Sequence, residues 1–373
     1  MEAVFWISCC LVGYAYAGYP VVLMLLGGLF RRDLKTGPDY SPMVSIIVPV
    51  YNEGKVIREK LENLLALEKP EGGLEILVVS DCSSDESESE VARFLVDGVR
   101  WFALGERSGK GAALNLGVSQ ARGELIVFTD ASILLEPDSL VRLLEPLGDE
   151  TVGCVSGEDH IRGGGGEGAY GRYELYLRNQ ESRIGSIVGA SGCFYAQRRA
   201  LVVPFLPGMA PDFLSVLVTV KEGYRAVTEP AAVGWMKAVP ARRGEFPRKV
   251  RTLLRGMTTL FHFRQLLNPF RHGLFTLELW SHKVLRWLAG AFMVLALASN
   301  AALAGNPLYN GLLAIQVLFY VLAVIGWKGP RRLADFSLVR LPFFFCLVNG
   351  AALVALGKWA SGERLEIWEP SKR

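Results

Sequence analysis

A long uncharged run at the start of the chain restricts what this protein can fold into more than any other feature. No charged residue lies between Ala3 and Phe30, and Arg31 and Arg32 follow at once. The run is long enough for a helix that crosses about 30 Å of hydrocarbon. A cleavable signal peptide would begin with basic residues and have a shorter apolar core. The sequence therefore predicts a transmembrane helix with its basic end in the cytoplasm and its amino terminus outside.

Two further uncharged runs lie near the other end, at residues 287–304 and 308–327. Each is long enough to span a bilayer, and only the short turn Gly305, Asn306, Pro307 separates them. Basic residues follow the second run, which places the turn outside and the basic end inside. The runs predict a transmembrane hairpin, and two buried helices of a soluble protein are the alternative.

A third apolar segment near the end of the chain, residues 341–357, is harder to place. It is barely long enough to span, and it contains Pro342 and Asn349. A full span would put the basic tail outside, against the positive-inside rule. A spanning helix and a re-entrant or interfacial segment therefore both stay open.

Residues 246–282 have a different pattern. Apolar and basic side chains alternate there at helical spacing, and Pro269 interrupts the pattern. Basic amphipathic helices next to a membrane span are typical of the bilayer interface. An ordinary surface helix packed on the neighbouring domain is the alternative.

The middle of the chain, from Tyr40 to Glu245, has the pattern of an α/β domain. Short β-branched runs predict buried strands, and segments of helical period separate them. Strands that alternate with helices indicate βαβ units and a Rossmann-like, mostly parallel sheet. The expected strands are residues 44–50, 74–80 and 125–129, and the expected helices are residues 55–67, 85–96 and 111–122.

Composition agrees with this division. Apolar residues make up 51% of the chain, more than one soluble domain needs, and the excess lies at the two ends. The formal net charge of +3 is too small and too dispersed to indicate a nucleic-acid partner. We expect a transmembrane helix and basic linker at residues 1–38, an α/β domain at 39–245, amphipathic helices at 246–282, and the hairpin, third apolar segment and tail at 283–373.

Polar residues cluster where each expected strand ends. Glu53 follows the first strand, Asp81 the second and Asp130 the third. Ligands of parallel sheets bind beyond the carboxyl ends of the strands. A single aspartate after a strand more often caps the next helix. Three acidic clusters on one edge favour a nucleotide and metal site.

Five segments of this region resemble the family 2 glycosyltransferases, which include the cellulose, chitin and hyaluronan synthases. They stand in the family's order, and the resemblance covers residues 44–255. It implies a GT-A fold and a cytoplasmic domain that takes a sugar from a nucleotide-sugar donor. The segments are SIIVPVYNE at residues 45–53, VVSDCSSDES at 78–87, SGKGAALN at 108–115, FTDAS at 128–132 and GASGCFYAQRR at 189–199.

The resemblance implies roles for the residues that match the family's donor-binding motifs. Pro49, Tyr51 and Glu53 are expected to line the pocket for the nucleobase and the ribose. Asp81 is expected to hydrogen-bond the base or the ribose. Lys110 is expected beside the nucleotide, and a solvated loop lysine is the alternative.

The resemblance also implies a metal ligand and a general base. Asp130 matches the first acidic position of the DxD motif, which holds Mg²⁺ or Mn²⁺ against the diphosphate. The second acidic position is Ser132, a weaker ligand, so either the metal depends on Asp130, phosphates and water, or metal dependence is reduced. Asp212 matches the base that takes the proton of the acceptor hydroxyl as the anomeric carbon inverts. An aspartate that caps a helix after Pro211 is the alternative.

Processive members of the family carry a QxxRW signature, and residues 248–252 read RKVRT at the matching place. Arg251 is retained, and a guanidinium there is suited to bidentate contact with the diphosphate. The glutamine and the tryptophan are absent. This departure favours a single addition over processive synthesis.

We therefore expect a multi-pass protein of the inner or plasma membrane with a cytoplasmic catalytic domain. The expected activity is inverting transfer of a sugar, from a UDP-sugar in preference, to a membrane lipid or lipid-linked acceptor. A membrane partner subunit is left open. The alternatives are a processive polysaccharide synthase, a catalytically inactive nucleotide-sugar-binding scaffold and a membrane nucleotidyltransferase. The last would need a basic, glycine-rich triphosphate loop, which residues 50–55 do not provide.

Overall fold

The computed structural model describes residues 1–35, 40–162, 166–237, 242–334 and 336–363. Part of the expected basic linker and most of the expected tail lie outside these ranges. Eight strands in the described ranges form one sheet. They are β1 Val44–Val50, β2 Leu74–Ser80, β3 Val99–Ala103, β4 Leu125–Thr129, β5 Ile133–Leu135, β6 Val152–Arg162, β7 Phe194–Arg198 and β8 Arg225–Lys237.

The strand order in the sheet is β3-β2-β1-β4-β7-β6-β8-β5. The first four strands are parallel to one another. β7 is antiparallel to its neighbours β4 and β6. β6 and β8 are parallel to each other, and β5 is antiparallel to β8. Every residue of β1 is buried, as expected for a strand covered by helices on both faces. The predicted Rossmann-like, mostly parallel sheet is confirmed.

Helices cover both faces of the sheet and extend away from it. Gly117 shows how closely one of them packs, because a Cβ there would lie 2.6 Å from Cγ2 of Ile47 in β1. The helices are α1 Glu2–Leu29, α2 Gly54–Leu65, α3 Ser87–Ala92, α4 Lys110–Gln120, α5 Ser139–Leu144, α6 Gly166–Ile184, α7 Pro211–Lys221, α8 Arg242–His262, α9 Pro269–Ala301, α10 Pro307–Lys328, α11 Arg331–Ala334 and α12 Ser337–Ala360.

In the α/β domain the sequence analysis missed one strand and made one helix too long. Strand β3 was not expected, because its exposed edge position gives it only one fully buried residue, Val99, and a charged one, Arg100. Arg100 satisfies its charge by bonding to Glu75 at 2.8 Å and to the Gln120 carbonyl at 3.0 Å. The helix expected over residues 85–96 is confined to α3, and a short 3-10 turn follows it.

Among the described residues, α1, α9, α10 and α12 are long and apolar enough to cross a membrane. Helix α12 has 24 residues and passes without a break through Pro342 and Asn349. At 1.5 Å per residue it is about 36 Å long. The third apolar segment is therefore a continuous helix of spanning length, and a re-entrant loop is not what the structure contains.

Helix α8 confirms the expected amphipathic helix and shows what its apolar face contacts. Val250, Leu254, Met257 and Leu260 are buried on one side, where α8 packs against α7 and α12. Phe261 stacks on the indole of Trp359 in α12, with 4.0 Å between ring centroids. Helix α8 thus joins the α/β domain to a candidate span, and its place at the bilayer interface stays a prediction.

A buried network of charges joins helix α6 to the candidate span α9. His282 places Nδ1 2.6 Å from Glu181 and Nε2 3.0 Å from Glu174. Glu174 also accepts a hydrogen bond from Arg286 at 2.5 Å. Tyr19 of α1 donates to Glu181 at 2.7 Å. His282 and Arg286 therefore face the α/β domain, and the segment boundary expected at residue 282 falls inside the part of α9 that runs from the kink at Gly273 to Ala301.

We expect Glu174→Ala to destabilise the protein, because it leaves the buried guanidinium of Arg286 and the buried imidazole of His282 each with one partner fewer. Loss of one member of a buried ion pair costs about 3 kcal/mol, and the partial exposure of Glu174 reduces this to about 2. The midpoint of thermal unfolding in detergent would measure the loss. Arg183→Ala is the matched control on the same helix, because Arg183 is exposed and its change should cost under about 0.5 kcal/mol. Equal midpoints of thermal unfolding for the two variants would contradict the proposed contribution of this network to stability.

Candidate active site

The loop after β1 is held in shape by the loop after β2. Asn52 has a φ of 52°, in the left-handed region that asparagine tolerates better than most residues. Its backbone N–H donates to Ser83 Oγ at 3.0 Å, and its side chain accepts from the Ser84 N–H at 2.9 Å. Asp85 accepts from the backbone N–H of Gly54 at 2.9 Å. These bonds fix Glu53 at the start of α2 and close one side of the sheet edge.

Asp81 is almost fully buried and binds backbone rather than projecting into open space. Its carboxylate accepts hydrogen bonds from the N–H groups of Ser108 at 2.7 Å and Gly109 at 2.9 Å. Gly109 directly precedes α4 and has a φ of 89°, which only glycine adopts readily. In this arrangement Asp81 orients the loop that presents Lys110. Its expected hydrogen bond to a base or ribose stays a prediction.

Lys110 and Asp130 form an ion pair at the centre of the edge. Nζ of Lys110 lies 2.5 Å from Oδ1 of Asp130 and 3.1 Å from the carbonyl oxygen of Gly192. Burial alone would lower the pKa of Lys110, but Asp130 and its neighbours outweigh burial and raise it. The solvated loop lysine that was the alternative is therefore excluded, because only 13% of this side chain is exposed.

Lys60 lies beneath the Asp130 loop, and sequence reasoning missed it. Its side chain is fully buried and donates to Thr129 Oγ1 at 2.9 Å and to the Ile133 carbonyl at 2.7 Å. Burial lowers the pKa of Lys60 to about 7, with a smaller opposing effect from Asp130. Lys60 therefore holds both ends of the turn that carries Asp130 and places a second amine near its carboxylate.

Asp212 lies at the start of α7 and faces the same cavity. Burial raises the pKa of this carboxyl, and the nearby cations Lys110 and Arg255 act in the opposite direction. Burial makes this carboxylate more basic than an ordinary aspartate while the neighbouring cations favour its ionised form, and both effects suit a general base. Gly192 borders Asp212 closely, since a Cβ there would lie 3.8 Å from the Asp212 Cγ.

A small cavity of about 10 Å³ brings four of the expected site residues together. Pro49, Lys110, Asp130 and Asp212 line it, along with Gly192. The volume is about that of one water molecule, so a group as large as a diphosphate would need more room than this cavity provides.

The remaining expected site residues lie around this centre. Tyr51 follows β1 and packs under the guanidinium of Arg107, which is 4.0 Å from its ring centroid. Such a stacked ring and guanidinium offer a flat surface suited to a nucleobase. Arg251 lies on α8, but its neighbour Arg255 is the one that faces Asp212, and its Nε donates to the Met209 carbonyl at 3.0 Å. Sequence reasoning did not single out Arg255.

The residues present could hold a divalent cation only together with ligands from a bound substrate or water. No cluster of three or more His, Cys, Asp or Glu side chains suited to a metal occurs in the described ranges, so an all-protein cage is excluded there. Magnesium often binds through one or two carboxylates together with substrate phosphates and water. Asp130 on the cavity wall supplies one such carboxylate, and Ser132 follows two residues later.

The raised pKa of Asp212 predicts the acid limb of the pH profile. A base works only when ionised, so activity should fall as the pH drops through the raised pKa. The fall should therefore begin at a higher pH than for an ordinary aspartate, whose pKa is 3.8. The pH dependence of kcat/KM would measure this limb. A rate that stays flat down to pH 4 in a protein that is still folded would contradict the assignment.

Comparison with known proteins identifies relatives of this chain. Residues 45–202 match the model of the glycosyl transferase family 2 domain. The poly-beta-1,6-N-acetyl-D-glucosamine synthase of Staphylococcus aureus is 24% identical over 307 residues, which cover 72% of this chain and 73% of that protein. The succinoglycan biosynthesis protein ExoO of Rhizobium meliloti is 36% identical over 107 residues, or 29% of this chain and 30% of that protein.

A solved structure resembles nearly the whole chain, including the helices outside the α/β domain. It is the mannosyltransferase PcManGT from Pyrobaculum calidifontis in complex with GDP-Man and Mn²⁺. The match has a TM-score of 0.73 and 27% identity, and it covers 95% of this chain and 98% of that one. The likeness confirms the expected GT-A fold together with its helical additions.

Proposed function

We propose that this chain, which carries a family 2 glycosyltransferase domain, moves a sugar from a nucleoside diphosphate sugar to a lipid-bound acceptor with inversion at the anomeric carbon. One observation carries the proposal. Asp130, Lys110 and Asp212 line a single cavity at the carboxyl edge of the sheet. This shared cavity supports the proposal, because a group that holds the diphosphate and a base that takes the acceptor proton must both lie near one anomeric carbon.

The donor is argued from the relatives. The mannosyltransferase PcManGT, whose structure contains GDP-Man and Mn²⁺, supports GDP-mannose as the first donor to test. The resemblance to polysaccharide synthases favours a UDP-sugar, and the Staphylococcus aureus relative is named as an N-acetylglucosamine polymer synthase. GDP-mannose and a UDP-sugar both carry a nucleoside diphosphate, the group that the cavity is proposed to hold.

The proposed step is a direct displacement. Asp212 takes the proton of the acceptor hydroxyl, whose oxygen forms the new bond to the anomeric carbon. The bond between that carbon and the diphosphate breaks on the opposite side, which inverts the configuration and releases the nucleoside diphosphate. Lys110 and Arg255 offset negative charge on the diphosphate as it leaves. A divalent cation held by Asp130 would neutralise more of that charge.

A lipid-bound acceptor follows from the helices around the site. Helix α8 carries Arg255 beside Asp212 and also packs on the candidate span α12, so the catalytic centre is close to the membrane helices. The QxxRW tryptophan is replaced by Thr252, which favours a single addition. We place the catalytic domain on the cytoplasmic side, because basic residues flank the ends of α1 and α10 that adjoin it.

A processive polysaccharide synthase is the second candidate, and the 24% identity to the Staphylococcus aureus synthase over 307 residues favours it. The experiment that separates the two is nucleotide release by the detergent-purified protein. GDP- and UDP-sugars would be supplied with Mn²⁺ or Mg²⁺, with and without lipid extract. Release that requires lipid and yields one discrete glycolipid supports the proposal. A high-molecular-weight product supports the synthase, and donor binding without any release indicates an inactive scaffold.

A further inference from the structure

A polar cleft opens beside the catalytic cavity. Its volume is about 500 Å³, within the range of small-molecule sites. Cys193 belongs to its wall, and the next residue towards the amino terminus, Gly192, lines the catalytic cavity. The cleft therefore adjoins the reacting centre. The other lining residues include Asp159, His160, Tyr170, Arg172, Glu174, Arg178, Trp235, Arg248 and Lys249.

The cleft carries an excess of positive charge. Its two carboxylates already have cationic partners, because Asp159 lies 3.5 Å from Arg178 and Glu174 lies 2.5 Å from Arg286. Arg172 lines the opening, is exposed, and makes no hydrogen bond or ion pair within the described part of the chain. Arginine is well suited to bind phosphate oxygens. An anionic group is therefore the natural occupant.

A row of arginines leads from this cleft to Asp212. Arg248, Arg251 and Arg255 are spaced i, i+3 and i+7 on α8, which places them along one face of the helix. Arg248 lines the cleft and Arg255 faces Asp212. Seven residues of helix span about 10 Å, so a saccharide attached to an anionic group near Arg248 could extend along α8 towards the base.

An apolar groove begins where the basic cleft ends. Its volume is about 710 Å³, and it lies between the start of α8 and the candidate spans α10 and α12. Phe246 and Pro247 line the groove, and the next two residues, Arg248 and Lys249, line the cleft. Among the described residues its other walls are entirely uncharged: Tyr320, Ala323, Val324, Trp327, Phe343, Cys346 and Leu347.

We propose that the acceptor is a saccharide joined through phosphate or diphosphate to a long-chain lipid, with the chain in the apolar groove and the phosphate in the basic cleft. This inference rests on the proposed glycosyltransferase function. The groove lies among helices fit for a bilayer, so a hydrocarbon chain matches its chemistry. The cleft is far larger than a phosphate group, and a hydroxyl of the attached sugar supplies the proton that Asp212 takes.

The test uses the full chain in detergent with one radiolabelled donor and three synthetic acceptors. These are a polyprenyl diphosphate carrying one sugar, a polyprenyl phosphate with the same polyprenyl chain but no sugar, and a neutral glycosyl diacylglycerol. Arg172→Glu reverses the charge at the cleft, and Arg183→Glu is its control on the same helix, away from the cleft. Val324→Trp fills the groove, and Ile315→Trp is its control on the opposite face of α10, where Ile315 is 66% exposed.

We expect the sugar-carrying diphosphate to be the best acceptor by at least tenfold in kcat/KM. Arg172→Glu and Val324→Trp should raise the KM for it at least tenfold and leave the donor KM unchanged, while both controls behave like the wild type. Preference for the neutral lipid, or equal KM values for the variants and their controls, would overturn the inference. Transfer to the sugar-free phosphate that survives Asp212→Asn would also overturn it. Failure of the wild type to transfer sugar to any acceptor would instead count against the proposed function itself.

Discussion

Asp212→Asn is expected to reduce sugar transfer by about 10³-fold, within the range for loss of a general base, while donor affinity changes little. The carboxylate lines the cavity with Lys110 and Asp130, and its proposed role is to take the acceptor proton rather than to hold the donor. Asparagine has nearly the same shape but accepts no proton. Initial rates of transfer and a separate titration of donor binding would measure the two quantities.

Asp138→Asn is the control for this change, because Asp138 likewise lies at the amino-terminal end of a helix, directly before α5, and forms an exposed pair with Arg142. The comparison distinguishes a base from a helix-capping aspartate. If Asp212 only stabilised the start of α7, both variants would keep most of their activity. A large loss of donor affinity in Asp212→Asn would also contradict its role as the base.

Asp130→Ala is expected to remove metal-dependent donor binding, with a fall of about 10²-fold in donor affinity at saturating Mn²⁺. Asp130 is the carboxylate that we propose holds a cation against the diphosphate, and such a cation contributes several kcal/mol of charge stabilisation. Donor affinity with and without Mn²⁺ would be measured by calorimetry for wild type and variant.

Lys110→Met is the companion variant, because the loss of Asp130 also leaves Lys110 without its 2.5 Å partner. Lys110→Met should weaken donor binding yet preserve the difference that Mn²⁺ makes. Ser132→Asp should tighten divalent-ion binding if Ser132 is a direct ligand. Unchanged metal dependence in Asp130→Ala would move the metal site elsewhere.

The sheet and its polar edge were predictable because they depend on local patterns. Strands β1, β2 and β4 are short buried runs of β-branched and other large apolar residues, and their ends match the predictions residue for residue. A parallel arrangement then brings Asp81 and Asp130 to one edge by topology alone. Strand β3 escaped notice because an edge strand with an arginine in its centre lacks that pattern.

The parts of the site that were missed depend on packing between distant segments. Lys60 lies on an amphipathic helix, where a lysine usually faces solvent. Only the approach of the loop that follows β4, about 70 residues later, buries its amine against Thr129 and Ile133. Likewise, both Arg251 and Arg255 fit a basic helix, and the packing of α8 on α7 decides that Arg255 faces Asp212.

The positions of the charged residues near the start of α9 also depend on packing between distant segments. His282, Lys283 and Arg286 look like the basic flank of a membrane span when they are read along the chain, so the span was expected to begin after them. In the fold His282 and Arg286 pair with glutamates of α6, and the helix continues through all three residues to Ala301. A charge whose partner lies about 100 residues away cannot be assigned from its local sequence.

The chemical structure of the product tests most directly whether the protein transfers a sugar to a lipid with inversion and with Asp212 as the base. Purified wild-type protein and Asp212→Asn would be incubated with labelled GDP-mannose or UDP-N-acetylglucosamine, Mn²⁺ and lipid extract, and the organic-phase product analysed by NMR. We expect one lipid-bound sugar of inverted anomeric configuration, formed by the wild type and not by the variant. A product with retained configuration, or equal yields from both proteins, would contradict it.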